Sequence, residues 1–291
     1  MSDYLKIIKE KHNIKELILL EGGYSFDEKY HFYSNSHYTL KIYDISQSDS
    51  VKRKLKVMKK FLEMGVRCPE VICYGEVDNK CYSIVTFIEG ETGQEIVKYS
   101  NDLQYEVGLA SGKELKIMHS LEYDESIDIY EFHKSKFERV YNEVKELGIK
   151  IEKEQIILDF IHDNLDLLRN RPTKILHGDY HLENSVYNNM GYVGCYDFNR
   201  MKVTDPIRDF ERSSVFSREF SVPYVKGLFD GYGFNKDNFK ILKIYLALGI
   251  FNATLWTYKL FPDQIDHDNQ LTKMILDDYN DFKLDVPKWY K

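Results

Sequence analysis

The segment HGDYHLENSVYNNMGYVGCYDFNR, residues 177–200, places three oxygen-bearing side chains at short intervals: Asp179, Asn184 and Asp197. A loop carboxylate can accept a hydrogen bond from a hydroxyl and aim its oxygen at a phosphorus atom, which is the main demand of a loose phosphoryl-transfer transition state. Amide and carboxylate oxygens also suit hard divalent cations. The spacing therefore predicts Asp179 as a catalytic residue and Asn184 and Asp197 as ligands of divalent cations.

Each of these residues also has an ordinary explanation. Asp179 would cap a helix, Asn184 would support a turn and Asp197 would be a surface acid, since Asp and Asn are common turn residues. The combination of His-x-Asp, a following Asn and then a strand with Asp-Phe is much rarer by chance than its parts. A turn at residues 188–191 would bring Asp197 back beside Asn184. The combination favours the catalytic interpretation.

Periodicity predicts the elements that must position these groups. The front of the chain alternates like strands, with one helical segment, and helices dominate after Glu89-Gly90. We predict strands at 17–21, 29–33, 38–43, 71–74, 82–87, 174–176, 185–187 and 192–196, and helices at 50–64, 102–119, 131–147, 155–169 and 238–260. The fold class is α+β with two lobes, residues 1–88 and 89–291, joined at a hinge near Thr86–Gly90.

Two features of the front lobe would suit a phosphate-bearing ligand. Lys41 lies in the predicted strand YTLKIY, from which its ammonium could enter a cleft, although a lone strand lysine usually faces solvent. Gly22-Gly23-Tyr24-Ser25 could let the backbone approach phosphates, or simply form a hairpin turn. The sequence contains neither GxxxxGK[ST] nor GxGxxG, which excludes the P-loop and Rossmann routes to nucleotide binding.

Composition restricts the partners and the compartment. A net charge of −7 over 291 residues argues against nucleic acid or an acidic membrane as a partner. The N-terminus is polar, and no apolar run approaches the roughly 20 residues that span a bilayer. The four cysteines lack metal-binding spacing. We expect a reduced, cytoplasmic protein without a membrane partner.

The order of these parts, with EMGVRCPEV, TFIEGE, HGDYHLEN, YDFNR and TDPIRDF in sequence, resembles the aminoglycoside phosphotransferase-like small-molecule kinases. The resemblance implies a protein-kinase-like fold, with an antiparallel-sheet lobe that binds nucleotide and a larger helical lobe with the catalytic loop and acceptor site. It implies transfer of the γ-phosphoryl group of ATP or GTP, with Mg²⁺, to the hydroxyl of a small molecule. The implied nucleotide contacts are Lys41, Gly23, Ser25, Thr86, Phe87 and Ile88. His177 would be structural.

The chain departs from the family pattern in one respect. Such kinases usually carry a Glu on the helix after the lysine strand, where it pairs with the lysine. The matching stretch here is Arg53-Lys54-Leu55-Lys56, which contains no acid, and Glu63 lies near the far end of the helix. Either another carboxylate such as Asp197 orients Lys41, or the helix is shifted relative to the family.

The acceptor is indicated only weakly by the sequence. Asp205, Asp209, Glu211 and a tail with six aspartates, residues 262–282, suggest a cationic acceptor such as an aminoglycoside antibiotic, but a solvated acidic face explains them equally well. Trp256, Tyr258 and Tyr232 would supply cation–π contacts or pack in the core. Asp205-Pro206 would cap a helix or brace the catalytic loop. The alternatives are a metabolic kinase acting on choline, homoserine, a thioribose or a sugar, and a nucleotide-binding pseudokinase.

Overall fold

The computed structural model describes residues 2–20 and 27–290. Its helices and strands alternate in a strand-rich front and a helix-rich remainder. In chain order they are α1 (Asp3–Lys11), β1 (Ile18–Leu19), β2 (Glu28–Tyr33), β3 (His37–Asp44), α2 (Ser48–Glu63), β4 (Val71–Val77), β5 (Lys80–Thr86), α3 (Asn101–His119), α4 (Ile129–Glu146), α5 (Glu154–Asn164), β6 (Lys174–Leu176), β7 (Ser185–Asn188), β8 (Gly191–Cys195), β9 (Lys202–Thr204), α6 (Asp209–Arg212), α7 (Arg218–Phe220), α8 (Val222–Tyr232), α9 (Lys236–Leu260) and α10 (Ile265–Asp278).

The chain forms two compact units. Unit 1 comprises Met1–Glu91 and Ser185–Asn199, and unit 2 comprises Thr92–Asn184 and Arg200–Lys291. The single boundary predicted at residues 88 and 89 differs from this division, because the hairpin of β7 and β8 belongs to unit 1. Backbone hydrogen bonds account for the difference: Tyr187 and Glu91 form a bridge, and Cys195 N donates to the Arg67 carbonyl at 2.9 Å.

Unit 1 is built on a five-stranded antiparallel sheet with the order β1-β2-β3-β5-β4. The helix α1 covers the sheet through Leu5 and Ile8, which pack with sheet residues such as Leu40, Ile42 and Ile84. These side chains alternate along the strands, so one face of the sheet forms the apolar core. The β4–β5 turn contains Asp78 and Asn79, with Asp78 in the left-handed region at φ 51°.

Unit 2 is a helical assembly around α9. Helices α4, α5, α6 and α10 all contact α9, whose residues are largely buried. The most extensive helix pair is α3 with α8, where glycines on both helices let the backbones touch. A Cβ at Gly112 would lie 2.1 Å from the Leu228 carbonyl oxygen, and one at Gly227 would lie 2.1 Å from that of Tyr105. Only glycine permits this approach.

Helix α9 is long and apolar enough to cross a membrane by length and composition. However, 72% of the most apolar stretch of this helix is buried inside the protein. A helix that is apolar on all sides is expected at the centre of a large helical core, which is the place α9 occupies. Its start is fixed by a capping box, in which the side chains of Asn235 and Asn238 reciprocally accept backbone N–H groups.

Most predicted elements are present, with differences at their ends. The predicted helix 155–169 is interrupted: α5 ends at Asn164 and a 3-10 turn covers Leu165–Leu168. Strand β9 was not predicted, and it pairs with β6 to frame the segment that leads to Asp179. Of the predicted strand 17–21, Ile18 and Leu19 are β-structured, and residue 21 lies outside the described residues.

Candidate active site

The loop His177–Asn184 follows β6 and is held at its start by one buried carboxylate. Asp209 accepts the backbone N–H of His177 at 3.0 Å and that of Gly178 at 2.7 Å. His119, the last residue of α3, places its Nε2 3.0 Å from the same carboxylate, and Tyr232 lies within 2.9 Å of its Nδ1. Because a charged acceptor strengthens hydrogen bonds in a buried site, Asp209 fixes where the loop begins.

Gly178 is required by the shape of this loop. Its φ is +82°, a conformation that favours glycine, and a Cβ at this position would lie 2.0 Å from the Arg200 carbonyl oxygen. Both observations concern the backbone and cannot be relieved by a change of rotamer. The glycine of the HGD motif therefore lets the chain turn tightly before Asp179.

The remainder of the loop is fixed by serines of the π-helical turn Ser213–Ser217. Ser213 Oγ donates to the Tyr180 carbonyl at 2.7 Å, and Ser217 Oγ accepts the Leu182 N–H at 2.8 Å. The buried Tyr180 hydroxyl donates to the Ser111 carbonyl on α3 at 3.0 Å. His177 is fully buried, and its Nδ1 accepts the Asp179 N–H at 3.3 Å. The side chain of Asp179 is thus presented by a rigid loop.

Asp179 is surrounded by cationic side chains. Arg212 Nε lies 2.9 Å from Oδ1, Arg200 Nε lies 3.4 Å from Oδ2, and His181 Nε2 lies 3.6 Å from Oδ1. Burial alone raises the pKa of Asp179, but the nearby His181 and the two arginines outweigh it and lower the pKa to about 2. The carboxylate is therefore ionised at neutral pH and acts as a hydrogen-bond acceptor.

Asn184 ends the loop in a 3-10 turn and is buried. Its Nδ2 donates to the Asp179 carbonyl at 2.8 Å and lies 3.3 Å from His181 Nε2. The amide nitrogen thus links the last residue of the loop to the backbone of Asp179. In the described part of the chain Oδ1 accepts no hydrogen bond, and this is the atom through which an asparagine binds a hard cation.

In unit 1, Asp197 lies two residues beyond β8 and has a left-handed backbone, with φ 65°. Lys41 Nζ is 3.4 Å from Oδ1 and Lys29 Nζ is 3.5 Å from Oδ2. The two lysines are direct partners in the β2–β3 register, so their side chains lie on one face of the sheet. Asp197 therefore orients Lys41. This matches the first of the two alternatives from the sequence, in which a carboxylate other than a helix Glu pairs with the lysine.

Lys54 belongs to the stretch Arg53–Lys56 of α2, in which the family pattern led us to look for a Glu. Its Nζ donates to Asn199 Oδ1 at 3.2 Å and lies 5.4 Å from the centre of the Tyr43 ring. Burial and the charge of Lys41 lower the pKa of Lys54 to about 8. Unit 1 thus brings three ammonium groups, those of Lys29, Lys41 and Lys54, to the turn that carries Asp197. A phosphate-bearing ligand would neutralise them.

Two backbone N–H groups of the hinge residues already form hydrogen bonds inside unit 1. Thr86 N donates to the Glu70 carbonyl and Phe87 N donates to the His37 carbonyl, each at 2.9 Å. Ile88 N makes no hydrogen bond with the described residues and is one donor available to a ligand. That the backbone of Thr86, Phe87 and Ile88 holds a base stays a prediction. Gly23 and Ser25, predicted to approach phosphates, lie outside the described residues.

The three acids nearest Asp179 in the sequence do not form an open acidic surface. Asp205 and Asp209 are buried: Asp205 accepts from Arg171 at 2.7 Å and from Tyr245 at 2.9 Å, and Asp209 holds the loop. Glu211 pairs with Arg208 at 2.7 Å. The expectation that these three attract a cation is wrong, because their oxygens are engaged inside unit 2. Asp263, Asp266 and Asp277 of the tail are exposed, and whether the tail attracts a cation stays a prediction. Asp205 does accept the Ile207 N–H, as the predicted cap, at the start of a 3-10 turn.

Comparison with known proteins identifies the chain at the level of family. The sequence profile of the phosphotransferase enzyme family (APH) matches residues 16–242, well over half of the chain. The chain belongs to this family. The resemblance noted from its motifs is thereby confirmed. No curated protein matches the sequence significantly.

Solved structures with similar folds include three aminoglycoside kinases. They are the ADP-bound aminoglycoside phosphotransferase APH(2'')-Ib (TM-score 0.70, 17% identity, 94% of this chain and 97% of that one), the gentamicin–APH(2'')-IIa complex (0.70, 17%, 94% and 96%) and the GDP complex of aminoglycoside 2'-phosphotransferase-IIIa (0.71, 13%, 94% and 97%). At these identities the likeness establishes the fold. The predicted α+β, protein-kinase-like class is confirmed.

Sequence reasoning missed several groups that the structure places around the predicted residues. Lys29 could have been found, because a hairpin that turns at Ser34-Asn35-Ser36 pairs residue 29 with residue 41. The contact of Arg212 with Asp179 and the role of Asp209 in bracing the loop depend on tertiary packing. No local sequence pattern indicates either of them.

Proposed function

We propose that this phosphotransferase moves the γ-phosphoryl group of ATP or GTP to a hydroxyl of a small molecule. Asp179 accepts a hydrogen bond from the hydroxyl of the acceptor. This bond directs the hydroxyl oxygen at the γ-phosphorus. The new oxygen–phosphorus bond forms as the bond to the β–γ bridging oxygen breaks, the nucleoside diphosphate leaves, and the hydroxyl proton passes to solvent by way of Asp179. The observation that carries the proposal is the ionised Asp179 on a loop clamped at both ends.

Asn184 and Asp197 fit the role of Mg²⁺ ligands by their chemistry. The Asn184 amide is oriented by its Nδ2 bond so that Oδ1 remains an acceptor, and Asp197 is an anion among lysines. Bound Mg²⁺ would neutralise phosphate charge in the transition state. In this proposal Lys41 contacts the α- and β-phosphates, and Lys29 and Lys54 add positive charge on the same turn.

The aminoglycoside acceptor expected from the sequence remains one candidate. It is supported by the fold neighbours, one of which is a complex with gentamicin. The acidic residues nearest Asp179 in the sequence give it no support, because Asp205, Asp209 and Glu211 are internally paired. A metabolic kinase acting on choline, homoserine, a thioribose or a sugar is the second candidate. Both would share the roles assigned above.

The proposal is tested with two variants and a panel of acceptors. Purified protein with Mg²⁺ and ATP or GTP is screened for nucleoside diphosphate release with aminoglycosides, macrolides, choline, sugars and sugar phosphates. Asp179→Ala should lower kcat by orders of magnitude while Mg-nucleotide binding persists. Asp197→Ala should abolish the thermal stabilisation that Mg-nucleotide gives the wild type. Full turnover by Asp179→Ala would rule out its assignment.

A pseudokinase would give a different pattern. It would bind Mg-nucleotide tightly and show no transfer to any acceptor, in the wild type as in Asp179→Ala. The presence of Lys41, Asp179, Asn184 and Asp197 together argues against it, because loss of one of them is expected in a pseudokinase.

A further inference from the structure

Five cationic side chains of unit 2 are linked by electrostatic interactions, and Arg200 and Arg212 among them pair with Asp179. We call them the basic cluster: Lys136 on α4, Arg200, Lys202 on β9, Arg208, and Arg212 on α6. Their electrostatic interactions link them, since Arg208 acts on Lys136, Lys202 and Arg212, and Arg200 acts on Arg212. The carboxylates among them are Asp179, Asp209 and Glu211.

These carboxylates do not balance the charge of the whole cluster, because three carboxylates face five cations. Asp209 contacts His119 and accepts two backbone N–H groups, and Glu211 forms its ion pair with Arg208. Both acids also act electrostatically on Lys202, and Glu211 acts on Lys136. In the described chain, Lys136 and Lys202 nevertheless make neither a hydrogen bond nor an ion pair within 4.0 Å, so no carboxylate pairs directly with either ammonium group.

One end of the basic cluster lies beside the carboxylate that must meet an acceptor. Arg212 contacts Asp179 Oδ1 at 2.9 Å, so its guanidinium is a neighbour of any hydroxyl that Asp179 accepts. Among the described residues, the two terminal nitrogens of Arg212 have no hydrogen-bond partner. Arg212 in turn acts electrostatically on Lys202, the register partner of Leu176 at the end of β6. The Lys202 side chain is accessible to solvent, although the surrounding protein reduces the hydration of its ammonium.

The electrostatic interactions within the cluster favour the binding of an anion. Burial and the charge of Arg208 lower the pKa of Lys202 to about 8 and also lower the pKa of Lys136. Burial likewise lowers the pKa of Arg212, although Asp179 opposes the effect. Cations that depress one another's pKa values are brought together at a cost, which a bound anion would remove.

We propose that the acceptor is an alcohol that also carries a phosphate or carboxylate group, and that Lys136, Lys202 and Arg212 bind this anionic group. The inference rests on the proposed function and names the substrate class of the same site. A polyamine such as an aminoglycoside would bring several ammonium groups towards a cluster with more cations than carboxylates, which is unfavourable. A phosphate or carboxylate matches the planar donor pairs of arginine and the point charge of lysine.

The experiment separates acceptors by charge before testing them. A metabolite extract is split by ion exchange into anionic, neutral and cationic fractions. Each fraction is incubated with the full-length protein, Mg²⁺ and γ-³²P-labelled ATP and GTP, alongside purified kanamycin and gentamicin. Labelled product from the anionic fraction alone supports the proposal. Label from the neutral or cationic fraction or from an aminoglycoside, or no label from any fraction while Mg-nucleotide still binds, overturns it.

Variants then locate the anion site. Lys202→Ala and Lys136→Ala should each raise KM for the labelled acceptor about tenfold, with an unchanged kcat and an unchanged Kd for Mg-nucleotide, and should weaken the dependence of KM on salt. Lys134→Ala, on the same helix α4 but beside the Tyr130 ring, is the control and should change none of these. Unchanged KM in both cluster variants contradicts the assignment. Absent Mg-nucleotide binding would instead refute the proposed function.

Discussion

Replacing Asp209 by Asn removes the charge that fixes the start of the His177–Asn184 loop. The carboxylate accepts the N–H groups of His177 and Gly178 and the Nε2 of His119. An amide keeps one oxygen acceptor and places an NH₂ group against a remaining donor. Asp209→Asn therefore leaves one buried donor unsatisfied and weakens the other hydrogen bonds.

The magnitude follows from these contacts. An unsatisfied buried donor costs about 1–3 kcal/mol, and weakening the bonds to a charged acceptor adds roughly 1–2 kcal/mol, so the free energy of unfolding should fall by about 2–5 kcal/mol. A displacement of the loop by about 1 Å would lower kcat roughly 100-fold. Urea unfolding followed by fluorescence measures the first effect, and transfer kinetics of the folded protein measure the second.

Asp205→Asn is the matched control. Asp205 is equally buried on the same DPIRD segment, but it accepts from Arg171, Tyr245 and the Ile207 N–H rather than from the loop. This variant should lose a comparable free energy of unfolding and keep kcat within a few-fold. If Asp209→Asn keeps the wild-type kcat, or if both variants lose kcat equally, the assigned role of Asp209 is refuted.

The pH dependence of the same variant provides a second check. Burial raises the pKa of Asp209, but the hydrogen bond and charge of His119 outweigh it and hold the pKa below 3.8. A lowered carboxyl pKa means that the stabilisation is complete above about pH 4 and is lost as the pH falls through the folded-state pKa. The difference in unfolding free energy between wild type and Asp209→Asn should therefore be constant at pH 5–7 and shrink in stronger acid.

Three further predictions concern packing, nucleotide binding and ionisation. Gly112→Ala should destabilise the protein by about 3 kcal/mol or more in urea unfolding, because its Cβ would meet a backbone oxygen of α8 at 2.1 Å. Gly249→Ala is the control and should cost far less, because its Cβ would meet only the end of the Glu211 side chain. Equal losses of unfolding free energy in the two variants would refute the packing argument. Lys54→Ala should weaken Mg-nucleotide binding roughly tenfold in calorimetry, since a half-buried ammonium near Lys41 is lost; an unchanged Kd would remove Lys54 from the phosphate-binding set. Asp179 should titrate near pH 2 by carbon NMR, so an apparent pKa above 4 would contradict its pairing with the arginines.

The elements that follow local rules could be predicted from the sequence. Strands β3 and β5 and helices α2, α3 and α9 carry strong periodicity, and Asp78-Asn79 and residues 188–191 have the composition of turns. The residues of the candidate site were also visible, because HGDYHLEN and YDFNR place them at fixed spacing. The short strand β9 has no such pattern and depends on pairing with β6.

Charge balance could not be predicted, because it depends on which side chains are paired inside the fold. Asp205, Asp209 and Glu211 look in the sequence like an acidic surface, yet each is engaged by internal donors. Lys136 and Lys202, which no motif singles out, have no ion pair in the described chain. The balance of charge near Asp179 therefore depends on tertiary structure, and it is the basis of the proposed anionic acceptor.

The central claim is that Asp179 directs phosphoryl transfer to a small-molecule hydroxyl. It is tested most directly by incubating a metabolite extract with Mg²⁺, γ-³²P-labelled ATP or GTP, and either wild-type protein or Asp179→Ala, followed by separation and mass spectrometry of labelled small molecules. We predict one labelled phosphomonoester with the wild type and none with the variant, while both proteins bind Mg-nucleotide with similar Kd. The same labelled product at the same rate from both proteins would contradict the account.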